Sequence, residues 1–356
     1  MKKINAVDIL TKNKNILWPE IEKYLNSIRN HPEFCQIKSK YQPLSDFHFQ
    51  IVSDYPQRKG KYFRPNLVML TTQSLGFDLN KSLPTAAAMQ ISEDWILIHD
   101  DVEDQSLQRR SQPALQKIYG NELAINAGDA LHALMWQVLS QNYSILDPKI
   151  AQKIQDEFFY MLNRTILGQT IEIKWTQDNR FDLTQDDILL ILESKTGYYT
   201  IAGPMRLGAI LAGATDSQLE SIYKFGILVG RSFQIVDDLL DLTSDFAGQK
   251  NQQGNDIYEG KRTIMLIHLL NNTNHSDLSK LKGILSKSRE EKSQEEVAWV
   301  IEKMKEYGSL EYGQNLAKKF ATQTQEIFDH DLKFLSKEPF RSELQSIFDF
   351  ILTRNH

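Results

Sequence analysis

Apolar residues recur along most of this 356-residue chain at intervals of three and four, the period of an α-helix. Ile150, Ile154, Phe158 and Met161 form one such stripe. The Asp147-Pro148 step ahead of it supplies an N-cap and a proline for the first helical position. Thr184, with Asp187 three residues on, marks another helix start that leads into Ile188-Leu189-Leu190-Ile191-Leu192. Ile222, Phe225, Val229, Phe233 and Val236 share one face of a long helix predicted from Thr215 to about Leu242. Further helices are predicted at 123–139, at 262–270 and over much of 295–353. Pro84 is expected to open one that runs through Ala86, Ala87 and Ala88 to His99. The stretches 243–260 and 271–293 are the most hydrophilic.

Period-two alternation is scarce and no repeat of 20–50 residues occurs. Glycine and proline together number 27 of 356, which disfavours a many-stranded β protein. No linker rich in proline, glycine or serine divides the chain. The expected fold is therefore all-α, a single-domain helical bundle over 46–356 preceded by an N-terminal helical extension at 1–45.

Charge and composition narrow the function. The net charge is −5 with no long basic run, which argues against nucleic acid as the main partner. A single cysteine, Cys35, excludes an intrachain disulfide and a thiolate zinc cluster. The longest apolar run is five residues, Ile188 to Leu192, where a membrane span needs about 20. After Met1-Lys2-Lys3 no apolar stretch precedes Asp8 and Lys12, so no signal peptide is read and a cytoplasmic location is expected.

Two segments carry the chemistry. Asp100-Asp101-Val102-Glu103-Asp104 and Asp237-Asp238-Leu239-Leu240-Asp241 both read D-D-x-x-D and stand 137 positions apart. On a helix, positions i and i+4 lie about 40° apart and i+1 about 60° from i+4, so each motif gathers three carboxylates on one face. Each follows an apolar run, 95–98 or 233–236, and precedes a polar, basic loop. Carboxylates crowded at the C-terminal end of a helix oppose its macrodipole, and divalent cations offset that cost. Oxygen ligands with room for water suit Mg²⁺ shared with substrate phosphates. Two solvated acidic helix ends are the plainer alternative. The basic positions Lys61, Arg64, Arg109, Arg110, Lys195, Lys250 and Lys261 add groups suited to phosphate. Taken singly each is an ordinary surface charge. As a set they describe a site for a polyanionic head, with apolar helix between the acidic segments to receive a hydrophobic tail.

These stretches resemble the trans-isoprenyl diphosphate synthases, the polyprenyl synthetase family. The matching segments are Gly60–Pro65, Leu97–Asp104, Arg109-Arg110, Ala127-Gly128-Asp129, Lys195-Thr196, Phe233–Asp241, and Gly254-Asn255-Asp256 through Gly260-Lys261-Arg262-Thr263. They span about 45–270 in the family's order; the remaining tail matches only in being helical. The resemblance implies an all-α fold around a central cavity and a homodimer. It implies elongation of an allylic diphosphate by isopentenyl diphosphate, with three Mg²⁺ per site once diphosphate is bound.

By position, the resemblance puts Asp100, Asp101, Asp104, Asp237, Asp238 and Asp241 on Mg²⁺. It puts Arg109, Lys195, Thr196, Gln234, Lys250 and Lys261 on the allylic diphosphate, and Lys61, Arg64 and Arg110 on isopentenyl diphosphate. Asp100, Asp104, Asp237, Arg109, Lys195 and Lys261 are the catalytic set. Trp95 and Ile96 stand where the family limits chain length, and geranylgeranyl diphosphate is expected ahead of farnesyl diphosphate. His99 is read as a packing or hydrogen-bonding residue and Asp129 as structural.

Three departures accompany the resemblance. Glu93 stands where the family often has His or Gln against isopentenyl diphosphate. Ser111 replaces a usual glycine. The loop at Lys250 is one residue longer than usual. A terpene cyclase shares the first acidic motif but usually lacks the second. A regulatory subunit of a heteromeric synthase typically loses one of the two. Both motifs are present here.

Overall fold

The computed structural model describes residues 5–243 and 253–352. Among them the chain is helical almost throughout, as its period predicts. In order, α1 spans Ala6–Ser27, α2 Gln42–Gln57, α3 Phe63–Ser74 and α4 Leu79–Glu103. A two-stranded hairpin follows, β1 Gln108–Arg109 and β2 Gln112–Pro113. Then come α5 Leu115–Tyr119, α6 Asn121–Ser140, α7 Asn142–Ile145, α8 Pro148–Gln177 and α9 Gln185–Ile191. A π-helix at Leu192–Ala202 leads into α10 Gly203–Leu211 and α11 Asp216–Thr243. The chain ends with α12 Asn255–Glu259, α13 Ile264–Asn272, α14 His275–Leu285, α15 Gln294–Glu306, α16 Ser309–His330 and α17 Phe340–Leu352. No helix among the described residues is long and apolar enough to cross a membrane.

The described residues group into two compact units. The first takes the chain up to 156 with 207–214 and 335–346; the second takes 157–206, 215–334 and the chain from 347. Three of the boundaries fall inside α8, α10 and α17, so no linker composition marks them.

In the first unit α4 is central. Ala86, Ala87, Ala88, Met89, Ile91, Trp95 and Ile98 are buried around its circumference, as a helix that is apolar on all sides must be. It packs on α3, on α6 through Ala124, Ala127, Leu131, Leu134 and Val138, and on α1. Helix α1 contributes Ile9, Leu10, Leu17, Ile21 and Leu25, and its buried Asn13 donates from Nδ2 to Asn66 Oδ1 at 2.7 Å. Residues 6–27 are thus part of this unit's packing. Helix α4 starts before the expected Pro84: Asp78 caps it by accepting from the Asn80 amide, and Pro84 is carried inside.

In the second unit α11 packs on the π-helix and on α16. Glycines make the first contact close. A Cβ on Gly230 would lie 2.2 Å from Gly197 Cα, and one on Gly226 would lie 2.5 Å from Ala202 Cα. On α11 the buried face carries Ile222, Phe225, Val229, Ile235 and Leu239, while Phe233 and Val236 are only half-buried. The hydrophilic stretch 271–293 contains α14, capped by Asn274 and anchored by Leu281, Ile284 and Leu285. Its three-and-four spacing is diluted by serine, lysine and asparagine on the outer face.

Candidate active site

The first acidic motif ends α4. Asp100 and Asp104 are partly exposed, whereas Asp101 is fully buried. The Asp101 carboxylate accepts from Tyr55 Oη at 2.6 Å, from Arg109 Nε at 3.0 Å and from Arg109 Nη2 at 2.5 Å. Its backbone oxygen accepts from Gln116 Nε2 at 2.6 Å. The resemblance puts Asp101 on Mg²⁺; here its carboxylate oxygens are engaged by Arg109 and Tyr55. Burial opposes the charge on Arg109, but the hydrogen bonds and charge of Asp101 outweigh it, so the guanidinium pKa is raised. Arg109 Nη2 also lies 3.8 Å from Asp100 Oδ2.

The hairpin aims two adjacent arginines at different places. Arg110 and Ser111 form its turn, both at positive φ (52° and 60°), the backbone a two-residue hairpin demands. Ser111 thus occupies a left-handed position that suits the glycine usual there, and it bears the strain of that backbone. Arg109 turns to Asp101. Arg110 turns to a second carboxylate pair seven residues earlier on α4, with Nη2 2.8 Å from Asp94 Oδ1 and 3.7 Å from Glu93 Oε1. Arg64 on α3 joins them, its Nη1 3.3 Å from Glu93 Oε2. Lys61 is exposed three residues before Arg64.

In the second unit the second motif lies near the end of α11. Asp237 is partly exposed; Asp238 and Asp241 are buried. Thr196 on the π-helix donates from Oγ1 to Gln234 Oε1 at 2.7 Å, and Gln234 Nε2 donates to Asp238 Oδ1 at 2.9 Å. The glycine contact between the π-helix and α11 allows this relay. Asp241 Oδ2 accepts from the Asp256 amide at 3.0 Å. Burial, then the charge of Asp256, pushes the Asp238 carboxyl well above the usual carboxylate range. Such crowding of hard oxygen donors fits a divalent cation, which relieves it.

The cations of this unit converge as well. Lys195, also on the π-helix, pairs with Glu172 of α8. Burial would raise the Glu172 pKa, but the charges of Lys195 and Lys261 reverse the shift. Lys261 Nζ lies 2.6 Å from Glu259 Oε2, and Arg289 Nη1 lies 3.0 Å from Glu259 Oε1. Lys292 donates to the Tyr258 carbonyl at 2.9 Å, and burial, with Arg262 and Arg289 nearby, pulls its pKa down to about 8. Lys250 lies outside the described residues.

Trp95 belongs to an aromatic ladder in the first unit. Its indole stacks on His132 of α6 at 4.3 Å, and Trp136 Nε1 donates to His132 Nε2 at 2.9 Å. Ile96 is partly buried beside it in sequence. His99 makes the expected hydrogen bond, Nε2 to the Ile125 carbonyl at 3.2 Å, and lies 3.6 Å from Asp129.

The sequence matches the Polyprenyl synthetase family model over residues 46–304. The chain belongs to the polyprenyl synthetase family. It is 30% identical over 300 residues to a short chain isoprenyl diphosphate synthase of Methanothermobacter thermautotrophicus, covering 83% of this chain and 87% of that one. It is 33% identical over 262 residues to a geranylgeranyl diphosphate synthase of Sulfolobus acidocaldarius, covering 73% and 77%. In fold it is similar to a geranylgeranyl pyrophosphate synthetase from Pyrococcus horikoshii, with a TM-score of 0.82 at 24% identity over 98% of both chains. The resemblance carried by the acidic motifs thus holds, and the chain is a Mg²⁺-dependent trans-prenyltransferase of the isoprenyl diphosphate synthase type.

Several residues of this polyprenyl synthetase were not legible as site residues. Tyr55, Gln116, Asp94, Glu172 and Glu259 each hold an expected site residue, and Arg289 holds Glu259 in turn, yet each stands alone in its own stretch of sequence. Only Glu259 carried a hint, as the neighbour of the matching Gly260-Lys261 step.

Proposed function

We propose that the chain extends an allylic diphosphate with isopentenyl diphosphate to geranylgeranyl diphosphate, with farnesyl diphosphate the shorter alternative. The observation that carries this reading is the pairing of both D-D-x-x-D motifs with buried partners that orient cations and carboxylates. Arg109 is set by Asp101, and Asp238 by Gln234 and Thr196. Asp100 and Asp104 of the first motif and Asp237, Asp238 and Asp241 of the second would hold Mg²⁺, three ions with the diphosphate; Asp100, Asp104 and Asp237 are the partly exposed ones. When bound, Mg²⁺ neutralises the charge that grows on the leaving diphosphate.

The chain's own residues do the rest. Arg109, Lys195 and Lys261 stabilise the non-bridging oxygens as the C–O bond breaks. Apolar walls keep water from the allylic cation. Arg64, Arg110 and Lys61 hold isopentenyl diphosphate, whose alkene attacks; the proton then lost passes to the departing diphosphate. No serine, cysteine or histidine nucleophile is required.

The homodimer expected of the family is supported by exposed apolar side chains. In the first unit these are Ile118, Leu123 and Ile125; in the second, Phe159, Tyr160, Ile166 and Leu167 on α8. Incubating the purified protein with isopentenyl diphosphate, each allylic primer and Mg²⁺, then measuring product chain length, tests the activity. Asp100→Ala or Asp237→Ala should lower turnover by at least about 100-fold, and near-normal turnover in either would remove the metal assignment.

A further inference from the structure

Two neighbouring carboxylates of α4 face the arginines assigned to the acceptor, and they are held differently. Asp94 is fully buried and lies 2.8 Å from Arg110 Nη2, a close charge-assisted contact. Burial, only partly countered by Arg110, raises its pKa to about 6. Arg110 is also fixed from two other sides. Its Nη1 donates to the Tyr55 carbonyl at 2.7 Å, and its guanidinium lies on Gly60, where a Cβ would come within 2.8 Å of Nη2. Tyr62 Oη, buried without a hydrogen-bond partner, faces the same group through the charges of Asp94, Arg110 and Glu93.

Glu93 is looser. It reaches Arg64 with one oxygen at 3.3 Å and Arg110 with the other at 3.7 Å, both beyond the usual length of a charge-assisted hydrogen bond. Its side chain is 12% exposed, against none for Asp94. A carboxylate spanning two guanidinium groups, one oxygen to each, is the small counterpart of a phosphate spanning the same pair.

We propose that Glu93 is an internal competitor for the acceptor diphosphate, holding Arg64 and Arg110 until isopentenyl diphosphate displaces it, while Asp94 keeps Arg110 in place throughout. This rests on the reading that Arg64 and Arg110 bind the acceptor. It adds that the affinity of that site is set by the side chain at 93, and that adjacent carboxylates act in opposite directions. Removing the charge of Glu93 frees the arginines for the diphosphate. Removing the charge of Asp94 leaves Arg110 badly placed for it.

The test measures KM for isopentenyl diphosphate and for the allylic diphosphate in the parent, Glu93→Gln, Asp94→Asn, Arg64→Gln and the Glu93→Gln/Arg64→Gln double variant. Circular dichroism confirms that each is folded. Glu93→Gln should lower KM for isopentenyl diphosphate about five-fold, the scale of a loose ion pair, and leave the allylic KM unmoved. Asp94→Asn should raise KM for isopentenyl diphosphate; if it fails to fold, Asp94→Glu serves instead and should also raise it, because the longer side chain displaces Arg110, and an unchanged value in a folded Asp94 variant overturns the positioning role of Asp94. In the Arg64→Gln background the gain from Glu93→Gln should shrink. An unchanged or higher KM in Glu93→Gln, with Arg64→Gln still raising it, overturns the competitor role and leaves the acceptor reading intact. An unchanged KM for isopentenyl diphosphate in Arg64→Gln overturns both.

Discussion

Arg109 and Asp101 form a two-pronged ion pair inside the first unit, with Nε at 3.0 Å and Nη2 at 2.5 Å from a fully buried carboxylate. The second aspartate of the first acidic motif therefore orients a cation, and the proposed mechanism gives the metal to Asp100 and Asp104.

That division gives a direct test. Asp104→Asn should raise the Mg²⁺ concentration for half-maximal rate at least roughly ten-fold, since even outer partners of a metal act on that scale. Asp101→Asn should leave the Mg²⁺ requirement in place and instead lower stability by roughly 1–3 kcal/mol, the range for a broken buried hydrogen bond to a charge. Mg²⁺ titration of the initial rate, together with thermal melting, separates the two. An equal Mg²⁺ shift in both variants would return Asp101 to the metal.

Trp95 sets the product length in this reading, with its ring braced by His132. Trp95→Ala should yield longer prenyl diphosphates, because each added CH₂ buried in the vacated space is favourable by about 0.8 kcal/mol. It should also cost about 3 kcal/mol of stability, as large-to-small core substitutions do. Adding His132→Ala should lengthen the product again. A product distribution identical to that of the parent would place the limit elsewhere.

Ser111 holds a positive φ of 60° in the arginine hairpin. Ser111→Gly relieves a left-handed penalty of about 1–2 kcal/mol and gives back roughly half in chain entropy. A net gain of about 0.5–1 kcal/mol in unfolding free energy, read from a higher denaturant midpoint, is expected. A loss of stability would mean that the serine side chain contributes an interaction of its own.

Lys292 predicts a pH dependence. Its folded pKa is pulled to about 8 by burial, below the ordinary 10.5 it regains on unfolding. Above pH 8 the unfolded chain binds more protons than the folded one, so stability should rise as pH increases. The window closes near pH 10, where Tyr55, Tyr62 and Tyr198, whose pKa values burial raises, begin to act in the opposite sense. Because the ammonium is partly solvated, a rise of roughly 1 kcal/mol is expected between pH 8 and 10. Lys292→Met should flatten it in urea titrations, and a parent with no rise in that window would mean that the ammonium keeps its charge when folded.

The all-α class, most helix positions and the two acidic motifs were determined by the sequence alone. Each is written locally: a three-and-four period such as Ile154, Phe158 and Met161, a cap such as Thr184 with Asp187, or three carboxylates within five residues. The tertiary structure decided what each of those residues does. Asp100 and Asp101 are identical neighbours in the sequence, but a helix turns 100° per residue, so one carboxylate meets solvent and the next meets Tyr55 and Arg109 in the core. Arg109 and Arg110 diverge for a similar reason, because their hairpin turn sends them to carboxylates seven residues apart on α4. The π-helix beneath Lys195 and Thr196 has no residue signature and arises where glycines let α11 approach closely. Glu172, Asp94 and Glu93 acquire their roles only because folding puts a cation 23, 16 or 17 positions away against them. Charge partners are selected by distance in space, and a chain read in order records only distance along itself.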